Sequence, residues 1–334
     1  MSSRFRVVVT DFVCDSMDRE REILGELADV EPLGCRSEEE LLGQVEGAHA
    51  MMVYHCLKIS ARTIERLKAC RLIVRCGVGV DNVDLEAARV RGIPVANVPD
   101  YGTEEVADSA VGMMLALTRG ITRLNSILRG GRSEWTYQHT IPLVRLRGRV
   151  LGVVGLGRIG TAVALRAKSL GMDVVYYDPY KPSGYDKSLG VRQVDDLETF
   201  FGQSFVVSLH CPLTAETRHI VNARTVAALP RGAYLVNTAR GELVDTSILP
   251  DAVASGQLAG AGIDVLANEP PRPDDPLVSA WRDPRHPAHD RILINPHAAF
   301  YCEQGIEDMR TKSSIACRKA LLGQRIPNVV NGVG

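Results

Sequence analysis

Three side chains able to do chemistry fall just past short apolar runs in the second half of the chain: Arg240, Glu269 and His297. Ala233–Val236 runs into Asn237-Thr238-Ala239-Arg240, Gly260–Ile263 is followed by Asp264 and then Glu269, and Ile292–Ile294 leads to Asn295-Pro296-His297. If these runs are strands of an open α/β sheet, the three residues share the carboxyl edge, where ligands gather. A planar guanidinium can hold a carboxylate and polarise a neighbouring carbonyl. A histidine titrating near neutrality can give a proton to an oxygen as hydride reaches the carbon. A carboxylate bonded to that imidazole orients it and favours its charged form. The set suits hydride transfer to a 2-oxo acid. Each residue also has an ordinary reading: a surface ion pair for Arg240, a solvated loop residue for Glu269 before Pro270-Pro271, and a strand-end histidine for His297.

A hydride donor is implied by Gly155-Leu156-Gly157-Arg158-Ile159-Gly160, which follows the apolar run Val150–Val154 and opens the helical stretch Thr161–Leu170. Gly155 permits a tight turn, Gly157 lets the backbone approach a pyrophosphate, and Gly160 lets helix and strand pack closely. The helix N-terminus offers free N–H groups and a positive dipole end to phosphates, and the whole motif, with Leu156, Arg158 and Ile159, is expected to bind the cofactor. Asp178 ends the next strand, eighteen residues after Gly160. Its carboxylate can accept from ribose hydroxyls and repels a 2′-phosphate, and Pro179-Tyr180 supplies no arginine, so NAD (NADH) is expected over NADP. FAD is the less suited alternative, because its folds usually carry the motif at the N-terminus.

The elements that must position these residues form two α/β series. Before residue 100, strands are expected at Phe5–Thr10, Ala50–Tyr54, Leu72–Arg75 and Val95–Val98. Helices are expected at Met17–Leu27, Glu38–Val45, Ala61–Ala69 and Leu85–Arg91. Alternation of this kind implies parallel sheets covered on both faces. A turn at Pro99–Gly102 precedes a helix, roughly Glu104–Gly120, capped by Thr103; an irregular stretch then runs from Gly130 to Arg149. The second series has six strands: Val150–Val154, Asp173–Tyr177, Phe205–Leu209, Ala233–Val236, Gly260–Ile263 and Ile292–Ile294. Residues 270–290, with six prolines, read as a long surface loop, and the last helix as about Gln304–Leu322.

The 334 residues suggest two domains, and a formal charge of −1 argues against a nucleic-acid partner. No apolar run reaches the length of a membrane helix, and Met1–Val9 shows no signal-peptide pattern. Eight irregularly spaced cysteines (14, 35, 56, 70, 76, 211, 302 and 317) read as reduced, mostly buried thiols, which implies a cytoplasmic protein. His286 and His289 lack acidic or cysteine partners at metal spacing, so no metal is expected.

GLGRIG at 155–160, NTARGELVD at 237–245, GIDV and NEPP within 262–271, NPHAA at 295–299 and RCGVGVDN at 75–82 occur in order along the chain. With these motifs the chain resembles the D-isomer-specific 2-hydroxyacid dehydrogenases over essentially its whole length. Tyr54-His55, Ala162–Lys168, Tyr177–Tyr180 and His297–Gln304 are similar to the branch that contains the C-terminal-binding-protein corepressors. The resemblance implies a doubly wound Rossmann domain at 101–299, inserted into a smaller flavodoxin-like α/β substrate domain made of 1–100 and 300–334, with a cleft between them. It implies Arg240, Glu269 and His297 as the catalytic triad and Asp264 as the ligand of the nicotinamide carboxamide. Thr238 and the loop Cys211–Thr217, including Pro212, would line the cofactor. Backbone amides at Val78 and Gly79, with Arg75, would bind the substrate carboxylate, and Tyr54, His55 and Phe300 would shape its pocket. Phe300 stands where the corepressor branch often has tryptophan. Members are typically dimers through the helix starting near Thr103. Two other readings remain: an NAD(H)-sensing corepressor-like dimer, and a dehydrogenase of phosphite or phosphonate-type substrates.

Overall fold

The computed structural model describes residues 4–13 and 15–333; Cys14 lies outside the described residues. Two compact units result, one of Met1–Gly102 with Tyr301–Gly334 and one of Thr103–Phe300.

The first unit is built on a parallel sheet of β1 (Phe5–Val9), β2 (Ala28–Pro32), β3 (Ala50–Val53), β4 (Ile73–Arg75) and β5 (Val95–Asn97), in the order β2-β1-β3-β4-β5. That order is the flavodoxin-like one, with its switch point between β1 and β3. The sequence reading lacked β2. Ala28-Asp29-Val30-Glu31-Pro32 alternates buried and exposed residues at the sheet edge, so its apolar signal is half that of a central strand. The helices at Glu38–Leu41 and Ala61–Ile64 are single turns, shorter than the periodicity predicts.

The last helix, Glu303–Leu321, belongs to this unit. Arg310 donates to Glu20 at 2.6 Å from two nitrogens and to Asp15 at 2.7 and 3.0 Å. Glu20 is fully buried, and a forked guanidinium satisfies such a carboxylate better than a lysine could. Farther on, Asn331 accepts from Val95 N–H at 3.0 Å and donates to the Ile93 carbonyl at 2.9 Å. The chain end is therefore stitched to β5.

In the second unit β6 (Val150–Val154), β7 (Asp173–Tyr177), β8 (Arg192–Gln193), β9 (Val206–Leu209), β10 (Ala233–Asn237), β11 (Leu258–Ile263) and β12 (Ile292–Ile294) form one parallel sheet. Its order is β12-β11-β10-β9-β6-β7-β8. The order reverses between β6 and β9, which opens a crevice at their carboxyl ends. β9 and β10 are buried throughout, as expected of a sheet with helices on both faces. Gly262 makes room for the helix Thr103–Thr118, since a Cβ there would lie 3.1 Å from Met113 Cβ. Two-residue β8 was not anticipated.

One further helix is added and one expectation is overturned. Ile121–Arg129 is helical and strongly amphipathic, starting after Gly120 at φ 64°. The expected loop 270–290 contains the helix Pro276–Arg282. Asp275 caps it by accepting from Val278 N–H at 3.0 Å, Pro276 opens it, and Leu277, Val278 and Ala280 are buried. Proline at the first helical position starts a helix rather than breaking one, because that N–H has no intrahelical partner.

Candidate active site

Gly155 ends β6 at φ 88°, and a Cβ there would lie 2.6 Å from the Cys211 nitrogen. A Cβ on Gly160 would lie 2.1 Å from the Gly155 carbonyl oxygen. Both positions require glycine for the backbone to pass. Around Gly157, by contrast, nothing lies within 4 Å of the missing side chain. That open space sits over the N-terminus of the helix Arg158–Ser169, whose cap residue Gly157 offers no side-chain acceptor. The first N–H groups of the helix thus face a cradle fitted to a pyrophosphate.

Asp178 follows β7. Its Oδ2 accepts from Leu156 N–H at 2.9 Å and its Oδ1 from Tyr180 N–H at 3.1 Å, leaving one lone pair on each oxygen for hydroxyl donors. The Thr238 hydroxyl, at the end of β10, is buried with no hydrogen-bond partner among the described residues. A buried polar group in that condition points to a ligand donor or acceptor. These residues fit a dinucleotide. Across the loop, Thr217 Oγ1 donates to the Pro212 carbonyl at 2.7 Å, so its hydroxyl shapes the turn. Burial pushes the Cys211 thiol up to about 12, which keeps it protonated. His210 bonds Ser208 Oγ through Nε2 at 2.8 Å, and burial lowers its pKa to about 3.

His297 and Glu269, far apart in sequence, are in contact. His297 Nδ1 lies 2.7 Å from Glu269 Oε2, while Glu269 Oε1 accepts from Leu266 N–H at 2.8 Å. The second bond orients the carboxylate toward the imidazole Nδ1. His297 is held at φ 52°, in the left-handed region, with its N–H on the Asp264 carbonyl at 2.7 Å. Asp264, 1% exposed, accepts from Ala298 N–H and Ala299 N–H at 3.0 Å each, and Ser109 Oγ donates to the Ala299 carbonyl at 3.1 Å. Burial raises the Asp264 carboxyl pKa; the two amide bonds oppose that rise without cancelling it. Asp264 therefore pins the segment that carries His297, a structural role that composition and spacing did not show. Phe300 stands edge-on to His297, with ring centroids 6.1 Å apart.

Arg240 begins the turn after β10 and donates from Nη1 to the Ala239 carbonyl at 2.7 Å. Its neighbour Gly241 decides where it sits. A Cβ there would lie 2.0 Å from the Leu266 carbonyl carbon, so the Arg240 turn rests directly on the segment leading to Glu269. His286 and His289 are occupied structurally, His286 Nδ1 by Ala288 N–H and His289 Nδ1 by the Trp281 carbonyl.

In the first unit, Arg75 is 6% exposed and lies over Gly77, with Nη1 on the Cys76 carbonyl at 3.0 Å. Val78 is exposed and Gly79 half-buried. Tyr54 is fully buried. Two residues here escaped the sequence reading. Phe12, at φ 65°, packs its ring 5.4 Å from Tyr54 and 4.8 Å from His55. Asp11 accepts from Tyr54 N–H at 2.9 Å and from Cys56 N–H at 2.8 Å. Asp11 follows a strand end, the same signal that marks Arg240 and His297.

A dinucleotide-binding doubly wound sheet with a His–Glu pair and an arginine at its carboxyl edge defines an oxidoreductase-type nucleotide unit. Residues 111–299 match the family model described as D-isomer specific 2-hydroxyacid dehydrogenase, NAD binding domain. The chain is 36% identical over 326 residues to D-3-phosphoglycerate dehydrogenase of Methanocaldococcus jannaschii, which covers 98% of this chain and 59% of that protein. It is 36% identical over 299 residues to glyoxylate reductase of Korarchaeum cryptofilum, covering 88% of this chain and 86% of that one. The solved structure of D-lactate dehydrogenase from Aquifex aeolicus, complexed with NAD and lactic acid, superposes with a TM-score of 0.85 at 28% identity, covering 98% and 99% of the two chains. The chain belongs to the D-isomer-specific 2-hydroxyacid dehydrogenase family. It spans 59% of the length of the phosphoglycerate dehydrogenase it matches.

Proposed function

We propose that this protein reduces a 2-oxo acid to the D-2-hydroxy acid, or runs the reverse reaction, with NAD as its dinucleotide. The observation that carries this is the 2.7 Å His297–Glu269 bond beside a cradle fitted to a pyrophosphate. NADH, when bound, supplies the hydride that reaches C2. His297, held by Glu269, gives its Nε2 proton to the carbonyl oxygen and regains one from solvent. Arg240 holds the carboxylate and polarises the carbonyl. Within the first unit, the amides of Val78 and Gly79, with Arg75, are donors suited to a carboxylate, and His55 packs beside Tyr54 and Phe12; within the second, Phe300 stands beside His297. Asp264 holds the nicotinamide amide as well as its own loop. Ile121, Trp135, Tyr137 and Ile141 are exposed apolar side chains within one short segment, which supports burial of that segment in a homodimer. A cytoplasmic location accords with buried, protonated thiols such as Cys76, whose pKa is pushed up to about 12.

His297→Ala is expected to lower kcat for NADH oxidation with 2-oxo acids by ~10²–10⁴-fold while NADH still binds. Turnover near that of the parent would overturn the assignment. Tight NADH binding with no oxidation by any of a panel of 2-oxo acids would instead favour a dinucleotide-sensing dimer. Asp178→Ala is expected to shift the NADH-to-NADPH preference by roughly tenfold or more, since hydrogen bonds to a charged group are worth about 1.5–3 kcal/mol. An unchanged ratio would remove Asp178 from ribose recognition.

A further inference from the structure

The reacting groups gather at the carboxyl ends of the strands in the second unit, and the amino ends hold a different concentration of charge. There Tyr234, early in β10, and Arg291, just before β12, line a cavity of about 80 Å³ together with Arg123 of the helix Ile121–Arg129. The positive charges of Arg123, Arg291 and Arg119 all act on the Tyr234 phenol, whose pKa burial raises. Among the described residues, no hydrogen bond or ion pair engages the guanidinium of Arg119, Arg123 or Arg291. The charge of Asp290 on the wall acts on Arg123, but its carboxylate oxygens are hydrogen-bonded elsewhere. Asp290 is taken by Arg132 at 2.7 and 2.8 Å and by Ser126 Oγ at 2.8 Å. Burial and the neighbouring charge of Arg291 hold the pKa of Arg123 below the ordinary arginine range. Like charges held together in a partly buried wall are stabilised by an anion placed between them.

We propose that this cavity is a binding site for a compact dianion, a phosphate or a short dicarboxylate, held by Arg123 and Arg291. The Tyr234 and Thr122 hydroxyls are further donors on its wall. The volume is ample, since about 10–15 Å³ already admits a water molecule. Two forked guanidiniums match the paired oxygens of either anion. The apolar wall at Leu117, Ile141 and Leu143 limits the ligand to something small. The site is separate from the Arg240–Glu269–His297 set, which stands at the opposite end of the same strands, about 15 Å away for a strand of five residues.

The test is calorimetric titration of the full chain with sodium phosphate and, separately, sodium succinate, against sodium chloride at matched ionic strength. Saturable binding of one anion per chain is expected. Arg123→Met and Arg291→Met should each weaken it at least about tenfold while NADH affinity stays unchanged. Where either variant loses NADH binding, Tyr234→Phe keeps the ring and is expected to weaken the anion several-fold. Binding of phosphate alone identifies an oxyanion site, and binding of succinate alone a dicarboxylate site. Absence of binding by both anions, or variants that bind as tightly as the parent, would overturn the proposal. So would a parent that binds neither anion and whose arginine variants dissociate in sedimentation, because the arginines would then pair with carboxylates of a second copy.

Discussion

Asp11 and Asp264 stand in different units and do the same job by the same means. Each is buried beyond the end of a parallel strand, and each gives its carboxylate oxygens to two backbone N–H groups of a neighbouring loop. The difference is what the loop carries. Asp264 fixes the segment holding His297, whose imidazole is bonded to Glu269. Asp11 fixes the segment of Tyr54 and His55, which packs against Phe12 as an aromatic cluster. A common strand-end device therefore positions the His297–Glu269 pair in one unit and an aromatic cluster in the other. Buried carboxylates can serve both ends because two charge-assisted bonds fix a loop more firmly than neutral ones.

The sharpest way to break this comparison is to remove both carboxylates, one at a time. Asp264→Ala is expected to lower kcat by roughly a hundredfold, since displacing an acid–base group by about 1 Å has that order of effect. Asp11→Ala is expected to raise KM for the 2-oxo acid about tenfold, leaving kcat within a few-fold and NADH affinity unchanged. Steady-state kinetics on both variants would show whether the split is real; equal losses of kcat would mean that the two loops act alike. Each variant also strands one buried and one part-buried N–H group, so thermal unfolding should report a loss of about 1–3 kcal/mol.

A smaller effect sharpens the contrast at a third strand end. His210, after β9, is held neutral by burial, with a pKa of about 3 against the ordinary 6.5. As pH falls below 6.5 the unfolded chain takes up this proton and the folded chain does not. The stability His210 provides above 6.5 is therefore lost progressively between about 6.5 and about 3. His210→Gln should flatten that part of the Tm-versus-pH curve, and an unaltered slope would show that His210 is not the group responsible.

Much of the nucleotide cradle was legible because its requirements are local. Gly155, Gly157 and Gly160 lie within six residues; Gly155 and Gly160 answer to close approaches of the backbone, and Gly157 leaves open space over the helix start. Arg240 and His297 were legible through the strand-end rule. Gly241 falls within the NTARGELVD motif, but its contact with Leu266 is invisible without the folded segment beyond β11. The helix Pro276–Arg282 was misread because its prolines outweighed the Asp275-Pro276 start signal. Edge strand β2 was missed because one face is solvated and the apolar run is broken.

The amino-acid order alone determined two parallel α/β series, a dinucleotide fingerprint with its acidic partner Asp178, and the residue types available for hydride chemistry. Those depend on periodicity and on spacings of a few residues, which the backbone expresses locally. The fold decided which distant groups meet. Glu269 reaches His297 across 28 positions, Asp11 reaches Tyr54 across 43, and Arg310 reaches Glu20 across 290, drawing the last helix into the first unit. No local pattern encodes such pairs, because each forms only when burial of separate apolar faces brings its two segments together.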